Sequence, residues 1–213
     1  MYKLYYYPNN ASLAPHFLLH HMNLEYELLF VDKKAKFQKS AEYLKLNPAG
    51  VIPTLIENGQ PLTESPAICI HLCEFHPEQG LIPLLGDPLR PLFFQWLAYL
   101  SNTLQADLMF SNYAHTHTND ERTIPNIVAA QSDRIADALS IINDQLEGKQ
   151  YLLGDQLTAC DYFLFMLAGW SFHGATSPLT FKHLAAYLKR MTANSTVQAV
   201  CEIESIDLSP FQS

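Results

Sequence analysis

Residues Asn47 to Ile68 place a loop, a proline-led strand, a hairpin and a helix start in immediate succession, an order that could hold a peptide-like ligand. The stretch reads Asn47-Pro48-Ala49-Gly50-Val51-Ile52-Pro53-Thr54-Leu55-Ile56-Glu57, turns at Asn58-Gly59, and returns through Gln60-Pro61-Leu62 to Thr63-Glu64-Ser65-Pro66-Ala67-Ile68. A proline at the opening of a strand loses little by lacking an N–H, and only an X-Pro bond makes a cis peptide cheap. With Ile52-Pro53 in cis, Ile52 would turn its N–H and C=O outward to pair, strand-like, with the backbone of a bound peptide. Thr63 or Glu64 would cap a helix beginning at Ser65-Pro66, and the unpaired N–H groups of that helix end attract a carboxylate.

A second group of candidates gathers before the first helix. Ser12-Leu13-Ala14-Pro15-His16 reads as a helix start with Ser12 as N-cap and Pro15 in the first turn, where it breaks no helical hydrogen bond. Ser12, Asn10 and Tyr6 are the side-chain donors around that helix end. Metal chemistry is not expected. His16 and His20 are four apart and His115-Thr116-His117 form a loop pair, yet neither carries a carboxylate at metalloprotease spacing, and Cys69 with Cys73 have no matching pair to complete a zinc site. No P-loop, dinucleotide fingerprint or Ser-His-Asp elbow is present.

The elements that must position these residues follow from periodicity. Strands are expected at 2–6 and from Glu25 to Val31, with the Ser12 helix as a right-handed crossover ending at Asn23. A short helix at 37–45 precedes the Pro53 strand, the Asn-Gly hairpin and a helix from Ser65 to about Phe75. This βαβ-αββα order resembles the thioredoxin-like fold. From His76 to Arg90, prolines and glycines interrupt any helical period and mark a linker. Beyond it, Phe93, Trp96, Leu97, Leu100, Leu104 and Leu108 form one helical stripe, and Ile124, Ile127, Val128, Ile135, Leu139, Ile142 and Leu146 another, both read as core. Leu157-Thr158-Ala159-Cys160-Asp161-Tyr162 contains a capping box with a staple between Leu157 and Tyr162. Helices at 180–192 and 196–203 complete the series, and the aperiodic tail from Glu204 is assigned no structure. The resulting division is an α/β domain over 1–77, a linker over 78–88, an all-α domain over 89–203 and a tail over 204–213.

Composition bounds the function. The chain has 213 residues, 48% of them hydrophobic, with no apolar run long enough for a membrane span. Its net charge is −8, and the part after residue 77 holds 7 Lys+Arg against 14 Asp+Glu, which argues against nucleic acid and anionic membranes as partners. The basic run Lys33, Lys34, Lys36 and Lys39 lies near the candidate site. The N-terminus goes straight into an aromatic strand with no export signal, and four cysteines without framework spacing suit a reducing compartment, so a cytoplasmic protein is expected.

The Asn-Pro-x-Gly-x-x-Pro-x-Leu run, followed by Leu62-Thr63-Glu64-Ser65 and Ala67-Ile68, resembles the glutathione-binding half of the glutathione S-transferases. The Thr158-x-x-Asp161 box is similar to one that opens a buried helix in their second domain. The resemblance spans nearly the whole chain and is nearest to the bacterial beta-class enzymes, through Tyr5-Tyr6-Tyr7-Pro8, Ser12-Leu13-Ala14-Pro15-His16 and the Asn47 to Ile68 segment. It implies the glutathione transferase architecture, a homodimer formed through the first helices of the second domain, and conjugation of the glutathione thiolate to a small electrophile. It also implies that the Ile52 backbone beside Pro53 binds the cysteinyl moiety, Glu64 and Ser65 the γ-glutamyl end, and Lys36 the glycyl carboxylate. Phe110, Tyr113, Trp170 and Phe172 are by analogy the electrophile wall. Two departures bear on the chemistry: Ala11 stands where beta-class enzymes typically have cysteine, and Gln105 where the family has a histidine. Thiol activation then falls to Ser12 first, then Asn10, then Tyr6. The rival readings are a non-catalytic glutathione or apolar-ligand carrier or interaction protein on the same scaffold, and a glutathione-dependent isomerase or dehalogenase.

Overall fold

The computed structural model describes residues 1–172 and 174–211. Its first half is a four-stranded mixed sheet in the order β2-β1-β3-β4. β1 (Tyr2–Tyr6) and β2 (Tyr26–Phe30) are parallel, with α1 (Leu13–His21) as the crossover that a parallel pair demands. β3 (Thr54–Glu57) runs antiparallel to β1, setting Leu55 opposite Leu4 in the core, and β4 (Gln60–Thr63) returns along β3. The turn between them has positive φ at both Asn58 (50°) and Gly59 (77°), the backbone that matches the twist of a two-residue hairpin. α3 (Ser65–Phe75) then packs against α1. This is the thioredoxin-like arrangement that the element order implies.

Residues 37–45 differ from the single helix expected. They form a 3-10 turn, Phe37–Lys39, and a separate α2 (Ala41–Leu44). Ser40 divides them because its backbone is extended and its hydroxyl accepts the Tyr43 N–H at 3.1 Å, the behaviour of a cap rather than of a helix interior.

The second half is helical. α4 (Arg90–Tyr99), a π-helical turn at Leu100–Leu104 and α5 (Gln105–Asn112) follow one another without a break. The apolar residues Trp96, Leu100, Leu104 and Leu108 are each four apart, so on a regular helix they would drift about 40° per step. The π turn, with more residues per turn, absorbs that drift and leaves all four buried. α6 (Ile124–Gln145) corrects the second stripe: Ile135, Leu139 and Ile142 are core, whereas Ile124 and Ile127 are only partly covered and Val128 is exposed. α7 (Ala159–Ser171) is the hub, buried at every position from Ala159 to Ala168, as befits a helix apolar all round. α8 (Lys182–Thr192) and α9 (Ser195–Ile203) close the bundle. The tail is not structureless. Ser209–Phe211 forms a 3-10 turn, and the Phe211 ring stacks on Phe165 at 4.7 Å over the space left by Gly169, where a Cβ would sit 3.5 Å from it.

Asp161 holds the start of α7. Fully buried, its carboxyl accepts the N–H of Leu152 and of Thr158, both at 2.8 Å, and the Thr158 hydroxyl at 3.0 Å. Burial nonetheless outweighs these donors and raises its pKa from 3.8 to about 6. A carboxyl that binds its proton more tightly when folded stabilises fully below 3.8 and loses that contribution as pH climbs through about 6. Urea unfolding at pH 7 and at acid pH is therefore expected to show wild type gaining about 2 to 3 kcal/mol relative to Asp161→Asn on acidification. A pH-independent difference would show that the carboxyl titrates alike in the folded and unfolded chain, and a loss on acidification that the fold holds it charged.

Candidate active site

The loop Asn47–Pro53 is built from its own side chains. Asn47, 2% exposed, donates from Nδ2 to the Val51 carbonyl at 2.8 Å and accepts the Ala49 N–H at 3.1 Å. The Tyr43 hydroxyl, beneath it, also reaches the Val51 carbonyl at 2.8 Å and lies 2.9 Å from Thr54 Oγ1. Gly50 has φ +62°, and a Cβ there would fall 2.8 Å from the Gln38 carbonyl, so the crowded left-handed bend requires glycine. The bend delivers Ile52 to the rim with a cis bond to Pro53. Among the described residues, neither the N–H nor the C=O of Ile52 has a hydrogen-bond partner, which leaves one residue of open strand edge.

α1 and α3 point their N-termini to the same place. The Ser65 hydroxyl, on the first residue of α3, donates to the Ala11 carbonyl at 2.7 Å, bridging the two helix starts. Glu64 precedes it with φ 67° and ψ 111°, a conformation costing a residue with a side chain about 1 to 3 kcal/mol. That strained residue lies on the cleft.

The cleft has a volume of about 890 Å³ and lies between the sheet domain and the helical domain. On the sheet side it is lined by Asn10, Ala11, Ile52, Pro53, Glu64 and Ser65. Of the residues the sequence singles out, Asn10 is thus the one side-chain donor of the first loop that reaches it. Ser12 does not. Its hydroxyl is fully buried, donating to the Tyr7 carbonyl at 3.2 Å and accepting the Tyr7 N–H at 3.3 Å, and for the same reason it makes no cap bond to α1. Tyr6 packs edge-on against His16 and Phe30, away from the cleft, and burial raises its pKa, helped by the nearby Glu204 charge. Lys36 occupies a left-handed position and does not line the cleft, whereas Lys33 and Lys39 do. Gln38 joins them with a buried Oε1 that has no partner among the described residues. Nothing local in the sequence separates Lys33, Lys39 and Gln38 from their neighbours, among which Lys36 has a left-handed backbone.

The helical domain forms the opposite wall with Phe110, Tyr113 and Trp170. Phe172 is on a smaller cavity of about 290 Å³, beside Phe165 and Phe211, and is not part of this wall. The π turn and the start of α5 add Ser101, Asn102 and Gln105, and the turn after α5 adds His117. No Asp, Glu, Lys or Arg of the helical domain lines the cleft among the described residues. Among those residues, no cluster of His, Cys, Asp and Glu suits a metal ion.

The loop that carries Asn10 is fixed from across the domain boundary. Glu204 Oε2 accepts the Asn9 N–H at 3.0 Å, and Trp170 Nε1 donates to the Asn9 carbonyl at 3.1 Å, with Asn9 itself at φ 53°. The other oxygen of Glu204 accepts from His16 Nδ1 at 2.7 Å, both side chains fully buried, and Tyr26 closes the far side of the imidazole at 3.2 Å.

Two family models match the chain: one described as the N-terminal domain of glutathione S-transferase, over residues 1–74, and one as its C-terminal domain, over 106–194. A glutathione S-transferase of Xanthomonas campestris, GST-4.5, is 28% identical, the match covering 96% of this chain and all of that protein. Among solved structures, a ternary complex of the bacterial transferase BphK is 32% identical with a TM-score of 0.84, covering 95% of this chain and 99% of that one. A glutathione transferase from Methylococcus capsulatus is 30% identical with a TM-score of 0.85, covering 97% and 100%.

Removing Glu204 strands both the Asn9 N–H and the buried imidazole of His16. Glu204→Ala is expected to cost about 2 to 4 kcal/mol in urea unfolding, and Glu204→Gln, which keeps an acceptor for Asn9, about half of that. Equal losses for the two variants would mean that the Asn9 contact contributes little.

Proposed function

The chain belongs to the glutathione S-transferase family, and we propose that it activates glutathione without a protein thiol and adds the resulting thiolate to a small electrophile lodged against the helical wall. The observation that carries this reading is the single cleft in which the open backbone edge of Ile52, two helix N-termini and an aromatic wall converge. The tripeptide's cysteinyl backbone pairs with Ile52, and its γ-glutamyl carboxylate meets the N–H of Ser65 at the tip of α3, with Glu64 held in strain to face its ammonium. Lys33 or Lys39, in place of Lys36, meets the glycyl carboxylate, with Gln38 Oε1 as an acceptor nearby.

The protein's own thiols support the assignment of the nucleophile to glutathione. Cys69, Cys73, Cys160 and Cys201 are all buried, burial raises the pKa of each, and position 11 is alanine. Each is therefore held as an unreactive thiol. Lowering the glutathione thiol by two pKa units requires about 2.7 kcal/mol of preference for the thiolate. An amide donor to a charged acceptor supplies about 1.5 to 3 kcal/mol and a helix N-terminus about 0.3 to 1. Asn10 and the start of α1 together meet that requirement. The same reading makes the protein a cytoplasmic homodimer with a role in detoxification, divided at the 78–88 linker.

Ultraviolet titration of the glutathione complex tests the donor. A thiolate band is expected at neutral pH, and Asn10→Ala is expected to raise the bound thiol's pKa by about one unit or more. Ser12→Ala is expected to lower stability through the lost Tyr7 contacts while leaving the bound thiol where it was. A shift in Ser12→Ala and none in Asn10→Ala would reverse the assignment, and no calorimetric heat with millimolar glutathione would remove the transferase reading altogether.

A further inference from the structure

Resting on the transferase reading above, we infer that His117 is a proton donor to the electrophile, and that the cleft is therefore suited to electrophiles whose addition leaves an oxyanion, such as conjugated enones. Among the described histidines, His16, His20, His21, His71, His76 and His183 each have a hydrogen-bond or ion-pair partner. His115 lies against Tyr113 and does not line the cleft. His117 does line it, and neither of its ring nitrogens has a hydrogen-bond partner among the described residues.

The ring is nevertheless held. It stacks on Phe110 with centroids 3.6 Å apart and planes 11° from parallel. Its backbone is locked in a turn by the His117 N–H to the Ala114 carbonyl at 3.0 Å and the Thr116 hydroxyl to the Tyr113 carbonyl at 2.8 Å. Face stacking fixes the plane of the imidazole and leaves its N–H edge for a ligand. Of the charged groups on neighbouring elements, Asp120 pairs with Arg122 and Asp107 with Arg134, Glu121 has no ion pair among the described residues, and the ionisable groups that share the cleft are Lys33, Lys39, Glu64 and Tyr113. On this wall the imidazole edge of His117 and the Tyr113 hydroxyl are the groups with a proton to pass to a substrate, and of the two His117 has its ring plane fixed by the Phe110 stack.

The chemistry balances without a further reagent. The glutathione sulfur donates its lone pair to the β-carbon of an enone, forming the C–S bond, while the C=C pair moves onto the carbonyl oxygen as an enolate. The thiol proton leaves to solvent when glutathione ionises, the imidazolium of His117 gives one to the enolate oxygen, solvent returns one to the imidazole, and the enol tautomerises to the ketone. Aromatic substitution makes no such demand, because the halide leaves with its electron pair and no proton is returned to the product.

The two reactions can be compared in one protein. Kinetics of wild type, His117→Gln and His117→Phe are measured with benzylideneacetone, an enone, and chlorodinitrobenzene, an aryl halide, alongside calorimetry with glutathione. The expected result is that the ratio of kcat/KM for the enone to that for the aryl halide falls about 10-fold or more in both variants. His117→Phe, which keeps an aromatic ring on Phe110, separates proton donation from packing. Parallel losses on both substrates, or no loss on either, overturn the role of His117 and leave the transferase reading standing. Wild-type protein that binds glutathione but turns over neither electrophile overturns both.

Discussion

The peptide group of Asn9 is gripped at both ends by the helical domain, its N–H by Glu204 and its carbonyl by Trp170, and the geometry of the cleft depends on that grip. Asn9 sits immediately before Asn10, which lines the cleft, and two residues before Ala11, which accepts the bridge from Ser65. Asparagine tolerates the left-handed conformation that Asn9 adopts, and two side chains from another domain hold it there. α1 extends the constraint. Buried from Leu13 to Leu19, it has the sheet and α3 on one side and α7 and α9 on the other, so Phe17 stacks on Tyr162 of α7 while His16 reaches past α9 to Glu204. The helix whose N-terminus faces the cleft therefore cannot shift without unpacking both halves of the molecule.

The two domains bring different kinds of group to the cleft. The sheet domain offers backbone: the open edge at Ile52, the N-termini of α1 and α3, a left-handed bend at Gly50 and a strained Glu64. Backbone groups locked by Asn47 and Tyr43 are of the kind that pair with another main chain. The helical domain offers side chains, aromatic or neutral and polar, on a rod with a π turn and on the turn that follows it. Such a wall binds by shape and apolar area, and its identity can change without disturbing the frame beneath.

Much of this frame was legible in the sequence because it is encoded locally. Asn58-Gly59 specifies a hairpin, Asn47-Pro48-Ala49-Gly50 a bend closed by its own first side chain, and Thr158-Ala159-Cys160-Asp161 a helix start. What escaped depends on distant partners. Ser12 reads as a cap and a donor, yet its hydroxyl makes no cap bond, because the chain folds back to place both polar groups of Tyr7 on it. Lys36 reads like Lys33 and Lys39 until the left-handed backbone turns it away. His117 is indistinguishable from His115 in sequence, and only the stack on Phe110 sets it apart. The residues after Glu204 show no period, since their order comes from Phe211 filling the gap over Gly169 and not from any helical face.

The hydrogen bond of His16 with Glu204 joins residues 188 apart. A ribosome delivers the sheet domain first, and when it emerges the partner of its buried histidine and of its Asn9 amide has not yet been made. The thioredoxin-like half is thus born with an unfinished loop, and the segment that follows α9 is the one that completes it. Ligand competence waits for Glu204.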